Sequence, residues 1–197
     1  RSDIKTMLIK LVFEKLSHPG NSLGVNLGVA ALPIFIAGFF LRDFVDLNLR
    51  NSEVIAYATI IFGLLLYLAQ LTKRKEGLNS LSLPGALVIG LFQCLALIPG
   101  TSRSGITITA GLFLGLSATA ASRFSFLLAI PTIGVIALVE LVRLSFLDIS
   151  QNGIELSIAL TVSFLVAYIS IDMFLRLIDR IGFTPFVIYR LLLGSWL

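Results

Sequence analysis

Residues 84–116 read PGALVIGLFQCLALIPGTSRSGITITAGLFLGL, two short apolar arms joined by a polar turn that contains an arginine. The arm before Pro99 has about 15 residues and the arm after Gly105 about 12, whereas a membrane-spanning helix needs roughly 20. Neither arm can cross a bilayer alone, so the pattern predicts a re-entrant helical hairpin over residues 84–116. Non-helical backbone and a charge at membrane depth are tolerated only where protein or a water-filled cavity surrounds them, so residues 99–105 are predicted to line a site.

The overall composition indicates that a membrane surrounds most of the chain. Hydrophobic residues make up 57% of the 197 residues, charged residues make up 13%, and the mean hydropathy is +0.99. Soluble proteins average roughly 45–50% apolar and 25% charged residues. The formal charge of +4 does not indicate a nucleic-acid partner, because the Lys and Arg residues stand mostly at the ends of apolar runs. The sequence thus predicts an all-α integral membrane protein, a polytopic helix bundle that forms a single transmembrane domain over residues 1–197.

Apolar run lengths predict five membrane spans in addition to the hairpin. The last is short for a span, and the five cover residues 22–41, 54–71, 118–142, 154–176 and 184–197. Proline inside the first and third spans, Pro33 and Pro131, predicts a kink in each. Residues 1–20 are basic and only intermittently apolar, which is typical of an interfacial connector along the membrane or of a solvated loop.

The distribution of basic residues predicts the orientation. The N-terminal segment, residues 73–75 and the pair Arg176 and Arg180 fall on one side of this topology, while only three arginines fall on the other. The side with more basic residues is expected to be cytoplasmic. The hairpin then enters from the cytoplasmic face, its turn lies deep in the bilayer, and the C-terminus emerges on the outer face.

The polar turn has the chemistry of an anion site. Gly100 and Gly105 permit unusual backbone angles, and Arg103 supplies a planar fork that matches phosphate oxygens. The start of the following helix adds free amides, and three hydroxyls flank the arginine, those of Thr101, Ser102 and Ser104. Phosphate or pyrophosphate therefore fits better than a sugar or a cation, with Thr107 and Thr109 extending the polar lining. The alternative is an arginine that binds backbone carbonyls and so stabilises a broken helix.

Two other phosphate motifs fit poorly. GTSRSGIT has the glycine spacing of a Walker A loop, but Ile106 stands where that loop has lysine and no strand precedes it, so nucleotide binding is not expected. Phosphatases that use a histidine nucleophile downstream of an arginine fit no better, because the sole histidine, His18, precedes Arg103. Cys94 is the only cysteine and offers neither an intrachain disulfide nor a cysteine metal cluster.

The hairpin and its surroundings resemble one family closely. The run GLFQCLALIPGTSRSGITITAGLFLGLSATAASRFSFLLAIP, residues 90–131, is similar to the second signature region of the undecaprenyl-diphosphate phosphatases, bacterial membrane enzymes linked to bacitracin resistance. The resemblance extends through the first two spans and onward to FVIYRLLLG at residues 186–194. It covers essentially the whole chain.

The resemblance implies a fold and an activity. Enzymes of this family have an inverted repeat in which two re-entrant hairpins meet near the midplane of the bacterial cytoplasmic membrane. They hydrolyse undecaprenyl diphosphate to the monophosphate carrier used in cell-wall synthesis. The cofactor that the resemblance implies is a divalent cation, magnesium or calcium.

The family pattern also implies roles for individual residues. Its phosphate-binding arginine corresponds to Arg103, and the neighbouring catalytic hydroxyls correspond to Ser102 and Ser104. It also implies substrate contacts for Gln93 and Thr107, and the anion site predicted from the turn itself adds Gly100, Thr101 and Gly105. Neither the nucleophile nor the metal ligands are identified by this part of the pattern.

The chain departs from the family at the first signature region, whose pattern EGLTEFLPVSSTGH contributes acidic residues, a serine and a histidine. Nothing like it occurs in these 197 residues, and a complete inverted repeat requires another span and hairpin upstream. We therefore expect an N-terminal hairpin and one span to be missing, and little hydrolysis by these residues alone. Acidic residues in the chain are better explained as structural pairs, Glu140 with Arg143 and Asp172 with Arg176.

Three classes of function remain open. An intact phosphatase would use Arg103 and the loop amides to stabilise charge on the transferred phosphoryl group. A polyprenyl-phosphate or anion transporter would use the same broken-helix site without a nucleophile. A noncatalytic homologue would bind a partner membrane protein. Arg123 and Arg190 are expected to reach lipid headgroups, and Arg190 alternatively to hold a lipid phosphate.

Overall fold

The structure is a computed structural model that describes residues 23–72, 76–143 and 146–197. Long apolar runs form its main helices. Two 3-10 turns, Leu78–Ser80 and Leu95–Leu97, flank the third helix. The helices of the described residues are α1 (Leu23–Asn48), α2 (Ser52–Gln70), α3 (Leu83–Cys94), α4 (Arg103–Phe113), α5 (Ala118–Arg143), α6 (Phe146–Ile181) and α7 (Thr184–Trp196).

Four of these helices, α1, α2, α5 and α6, are long and apolar enough to cross a membrane, which confirms the predicted polytopic bundle. The fifth predicted span, residues 184–197, corresponds to α7, which is not among these four helices. α7 has 13 residues, which is about 20 Å at 1.5 Å per residue, against a hydrocarbon core of about 30 Å. α6 begins at Phe146, eight residues before the predicted start of its span at residue 154. The length of an apolar run predicts only the part of a helix that lies in lipid, and a helix can extend beyond that part.

Several smaller predictions can be compared with the structure. Pro33 and Pro131 each lie inside a helix that continues past them, α1 and α5. Asp172 and Arg176 form the predicted ion pair, with 2.9 Å between Oδ2 and Nη2. The predicted connector over residues 1–20 and the basic loop at residues 73–75 lie outside the described residues, as do the side chains of the pair predicted at residues 140 and 143.

The two arms of residues 84–116 form separate short helices. α3 begins after Ser82, whose Oγ accepts a hydrogen bond from the amide of Gly85 at 3.3 Å. The helical conformation ends before Pro99, because proline disfavours helical backbone in the residue that precedes it. Ile98 is accordingly extended, with φ −75° and ψ 118°. α4 restarts the helix at Arg103, so residues 84–104 do not form one continuous helix.

The entry and the exit of this helix pair are hydrogen-bonded to each other. The amide of Glu76 donates to the carbonyl of Gly115 at 2.9 Å, and the amide of Ser117 donates to the carbonyl of Glu76 at 2.8 Å. Gly115 has a φ of 91°, which redirects the chain after α4. Both ends of the pair therefore lie side by side at one end of the bundle.

Glycines let the helices around the pair approach closely. α1 contacts α3 at Gly90, where a Cβ atom would lie 2.5 Å from the carbonyl oxygen of Ala30. α2 contacts α7 at Gly63, where a Cβ atom would lie 3.2 Å from the Cβ of Arg190. These contacts bring α1 and α7 against the segment that joins α3 to α4.

Candidate anion-binding site

The backbone between α3 and α4 adopts two uncommon conformations. Gly100 has φ 91° and Ser102 has φ 67°. Positive φ is ordinary for glycine but costs a serine on the order of 1–3 kcal/mol, and such strained residues cluster at functional sites. Gly105, for which an unusual backbone was also predicted, lies instead inside the first turn of α4. A Cβ atom there would lie 3.2 Å from the Oγ of Ser102, so close approach rather than backbone angle favours glycine.

Ser102 caps the N-terminus of α4. Its Oγ accepts a hydrogen bond from the amide of Gly105 at 3.3 Å, and its side chain is exposed. The first turn of a helix carries unpaired amides and partial positive charge, which attract anions. The first turn of α4 contains no acidic residue that would compete for this charge. The start of α4 is therefore suited to a phosphate group.

The guanidinium of Arg103 is held by α5. Its Nη1 donates a hydrogen bond to the Oγ1 of Thr132. Thr132 is buried, and its own hydroxyl donates to the carbonyl of Leu128 at 2.7 Å. The sequence left open whether Arg103 binds an anion or the carbonyls of a broken helix. The hydrogen bond that the structure shows is to a hydroxyl group and not to a backbone carbonyl.

A backbone carbonyl at the break between α3 and α4 is bound by a different arginine, Arg190 on α7. Its Nη2 donates to the carbonyl of Gly100 at 2.8 Å, and its Nε donates to the carbonyl of Thr59 at 3.2 Å. Sequence reasoning placed Arg190 at lipid headgroups or on a lipid phosphate and missed this contact. A charged residue inside the apolar run FVIYRLLLG was the available signal, since such a residue is costly in lipid without a partner.

The remaining predicted residues divide into accessible and buried ones. Arg103, Ser104 and Gly105 are partly exposed, whereas Thr101 is fully buried. Thr107 is buried as well, and its Oγ1 lies 2.7 Å from the Oγ of Ser125 on α5.

Gln93 is also fully buried, and its Nε2 lies 3.5 Å from the carbonyl oxygen of Ala30 on α1. Ser102–Gly105, on the exposed side of the turn, is therefore the accessible part of the site. Thr107 supports this part from within the protein, because its hydroxyl donates to the carbonyl of Arg103 at 3.0 Å. Direct contact of Thr101, Thr107 and Gln93 with a substrate stays a prediction.

The side chains of this site suit an anion better than a metal ion. Hydroxyls, amides and guanidinium groups face the turn, whereas magnesium and calcium prefer carboxylate oxygens. Across residues 23–72, 76–143 and 146–197, no three His, Cys, Asp or Glu side chains are grouped so that they could hold a metal ion. The expectation of a divalent cation therefore stays a prediction from the family resemblance.

Comparison with known proteins identifies the family of the chain. The family described as bacitracin resistance protein BacA matches residues 1–196. Undecaprenyl-diphosphatase 1 of Pseudoalteromonas translucida is 49% identical over 179 residues, which are 90% of this chain and 67% of that relative. The undecaprenyl-diphosphatase of Alteromonas mediterranea is 45% identical over 199 residues, 99% of this chain and 75% of the relative. That of Marinobacter nauticus is 44% identical over 189 residues, 95% of this chain and 71% of the relative. Since the family match covers almost every residue, the chain belongs to the BacA bacitracin resistance family.

Proposed function

We propose that this protein hydrolyses undecaprenyl diphosphate to undecaprenyl phosphate and inorganic phosphate in the bacterial inner membrane, and so recycles the lipid carrier of cell-wall synthesis. Three undecaprenyl-diphosphatases that are 44–49% identical to the chain support this activity. The observation that carries the proposal is the position of Arg103. Arg103 begins α4, directly after the turn that interrupts an apolar segment. Its guanidinium donates a hydrogen bond to Thr132 on the long apolar helix α5.

Arg103 and the amides of α4 act on the phosphoryl group that is transferred. Negative charge builds on its oxygens as the bond to the leaving phosphate breaks, and fixed donors that point at these oxygens lower the barrier. A guanidinium can donate two parallel hydrogen bonds to one phosphoryl group. Ser102 can donate its hydroxyl hydrogen to the same group, because its oxygen already accepts from the amide of Gly105.

Phosphate release from undecaprenyl diphosphate in detergent tests this activity. The assay compares the chain with a longer form that also carries the family's first signature region, each with magnesium or calcium added. We expect release by the longer form, with little release by residues 1–197 alone. Polyprenyl-phosphate transport into vesicles without any phosphate release by either form would contradict the proposal and favour a transporter.

Thr132 is expected to support Arg103 in this reaction. Valine at this position has nearly the same shape but lacks the hydroxyl, so one guanidinium donor loses its partner. A hydrogen bond to a charged group contributes about 1.5–3 kcal/mol, and the lower end of this range corresponds to about tenfold in rate, so we expect Thr132→Val to lower the rate of phosphate release about tenfold. Thr132→Ser keeps the hydroxyl and is expected to stay within twofold of the wild type. Equal rates for the valine variant and the wild type would contradict this role.

The pair α3 and α4 is proposed to be a re-entrant hairpin that enters from the cytoplasm. The hydrogen bonds between Glu76 and residues 115–117 support this, because they place entry and exit at one end of the bundle. The 12 residues of α3 and 11 residues of α4 are also too few for a span.

Single cysteines test this topology in a Cys94→Ser background. We expect Ser80→Cys and Ser117→Cys, before and after the hairpin, to react with an impermeant maleimide only after the membrane is opened. Asn51→Cys, between α1 and α2, is expected to react in intact spheroplasts. Labelling of positions 80 and 117 from opposite faces would mean that the pair crosses the membrane.

A further inference from the structure

The peptide group between Gly100 and Thr101 is held at both of its ends. Its amide, that of Thr101, donates to the carbonyl of Ile98 at 3.2 Å. Its carbonyl, that of Gly100, accepts from Arg190 at 2.8 Å and lies 3.3 Å from the hydroxyl oxygen of Thr59. The orientation of this peptide group is therefore fixed by α2 and α7, two helices outside the hairpin.

This peptide group lies one residue before the strained residue of the site, with Thr101 between them. Ser102, with φ 67°, follows it and is followed in turn by Arg103 at the start of α4. A serine keeps a positive φ only where the surrounding structure over-determines the conformation. The contacts of the Gly100 carbonyl lie next to this strain and oppose its relaxation. A rotation of the Gly100–Thr101 peptide would redirect both Ser102 and the first amides of α4.

Arg190 forms its hydrogen bonds with the backbone of the protein itself. Its guanidinium is bound to the carbonyl of Thr59 as well as to that of Gly100. The side chain passes over Gly63 on α2, and its Nη1 lies 3.6 Å from the position of a Cβ atom on Gly105. A lipid headgroup at the membrane surface does not explain these contacts. They bring a second guanidinium to the turn that carries Arg103.

We propose that Arg190 is a positioning residue of this site. By binding the carbonyls of Gly100 and Thr59, it keeps the turn in the conformation that presents Ser102, Arg103 and the N-terminal amides of α4 to the diphosphate. Its effect on catalysis rests on the proposed phosphatase function, whereas its effect on the backbone of the turn does not. Arg103 contacts the substrate, and Arg190 acts through the turn.

Hydrogen exchange measures the backbone effect without any substrate. Arg190→Met keeps much of the side-chain length and suits an apolar setting but removes every donor, and we expect exchange of residues 98–105 to become at least tenfold faster. Arg190→Lys keeps the charge and can bind one carbonyl, so its exchange should lie between that of the methionine variant and the wild type. The exposed Arg123, changed to methionine, serves as the control and is expected to leave exchange unchanged.

Steady-state kinetics of the same variants, made in the longer form that carries the family's first signature region, measure the catalytic effect. We expect Arg190→Met to lower kcat about tenfold with KM within twofold, and Arg190→Lys to recover part of this loss. The proposal would be overturned if residues 98–105 exchanged at the wild-type rate in both Arg190→Met and Arg190→Lys. It would also be overturned if exchange became faster to the same extent throughout α5 and α6. A raised KM with unchanged kcat would overturn it as well, by making Arg190 a substrate-binding group. If the longer wild-type form releases no phosphate, the proposed function fails, while hydrogen exchange still decides the role of Arg190.

Discussion

Replacing Arg103 by lysine is expected to lower the rate of phosphate release at least tenfold, and replacing it by glutamine at least a hundredfold. Lysine keeps the charge but has no planar fork, so it cannot donate two parallel hydrogen bonds to one phosphoryl group. Glutamine loses the charge as well, and removal of one such donor from other active sites costs about 10²–10³ in rate. These losses correspond to about 1.4 and 2.7 kcal/mol in barrier height. The measurement is phosphate release at saturating undecaprenyl diphosphate.

The matched control for Arg103 is Arg123, which is exposed on α5. Arg123→Lys and Arg123→Gln make the same chemical changes away from the turn, and both are expected to stay within twofold of the wild type. Binding of pyrophosphate gives a second measurement that does not depend on turnover, and it should weaken for the Arg103 variants alone. Near-normal turnover of Arg103→Lys would remove Arg103 from the reaction.

The break between α3 and α4 could be predicted from the sequence because its causes are local. Pro99 prevents its predecessor from being helical, and Gly100 supplies the positive φ that the turn uses. The lengths of the two arms depend only on the positions of Pro99 and Gly105 in an otherwise apolar run. The prediction that the turn binds an anion also rests on local features, because Ser102 and Arg103 lie at the start of a helix.

The partners of the two arginines could not be predicted, because they come from distant parts of the chain. Arg103 and Thr132 are 29 residues apart, and Arg190 and Gly100 are 90 residues apart. Such contacts depend on which helices pack together, and a nearly uniform apolar sequence carries little information about neighbours. The sequence also predicted unusual backbone angles at two glycines and missed the positive φ of Ser102.

Gly100→Ala is expected to destabilise the protein by about 3 kcal/mol or more, through two effects that act together. The backbone at this position has φ 91°, which an alanine adopts only with strain. A Cβ atom would also lie 2.4 Å from the carbonyl oxygen of Ile55 and 3.0 Å from the hydroxyl oxygen of Thr59. Both neighbours belong to α2, so relief of the contact moves the turn away from α2 and from Arg190. The measurement is thermal or SDS-induced unfolding of the purified protein in detergent.

Gly134→Ala provides the control for this substitution. Gly134 lies inside α5, and a Cβ atom there would have no neighbour within 4 Å. Alanine is favoured over glycine in a helix by roughly 0.5–1 kcal/mol, so this variant is expected to be as stable as the wild type or slightly more stable. The two variants add the same methyl group, and they differ only in backbone conformation and available space. Equal unfolding curves for the two variants would mean that the stability of the protein depends neither on the positive φ of Gly100 nor on its close contact with α2.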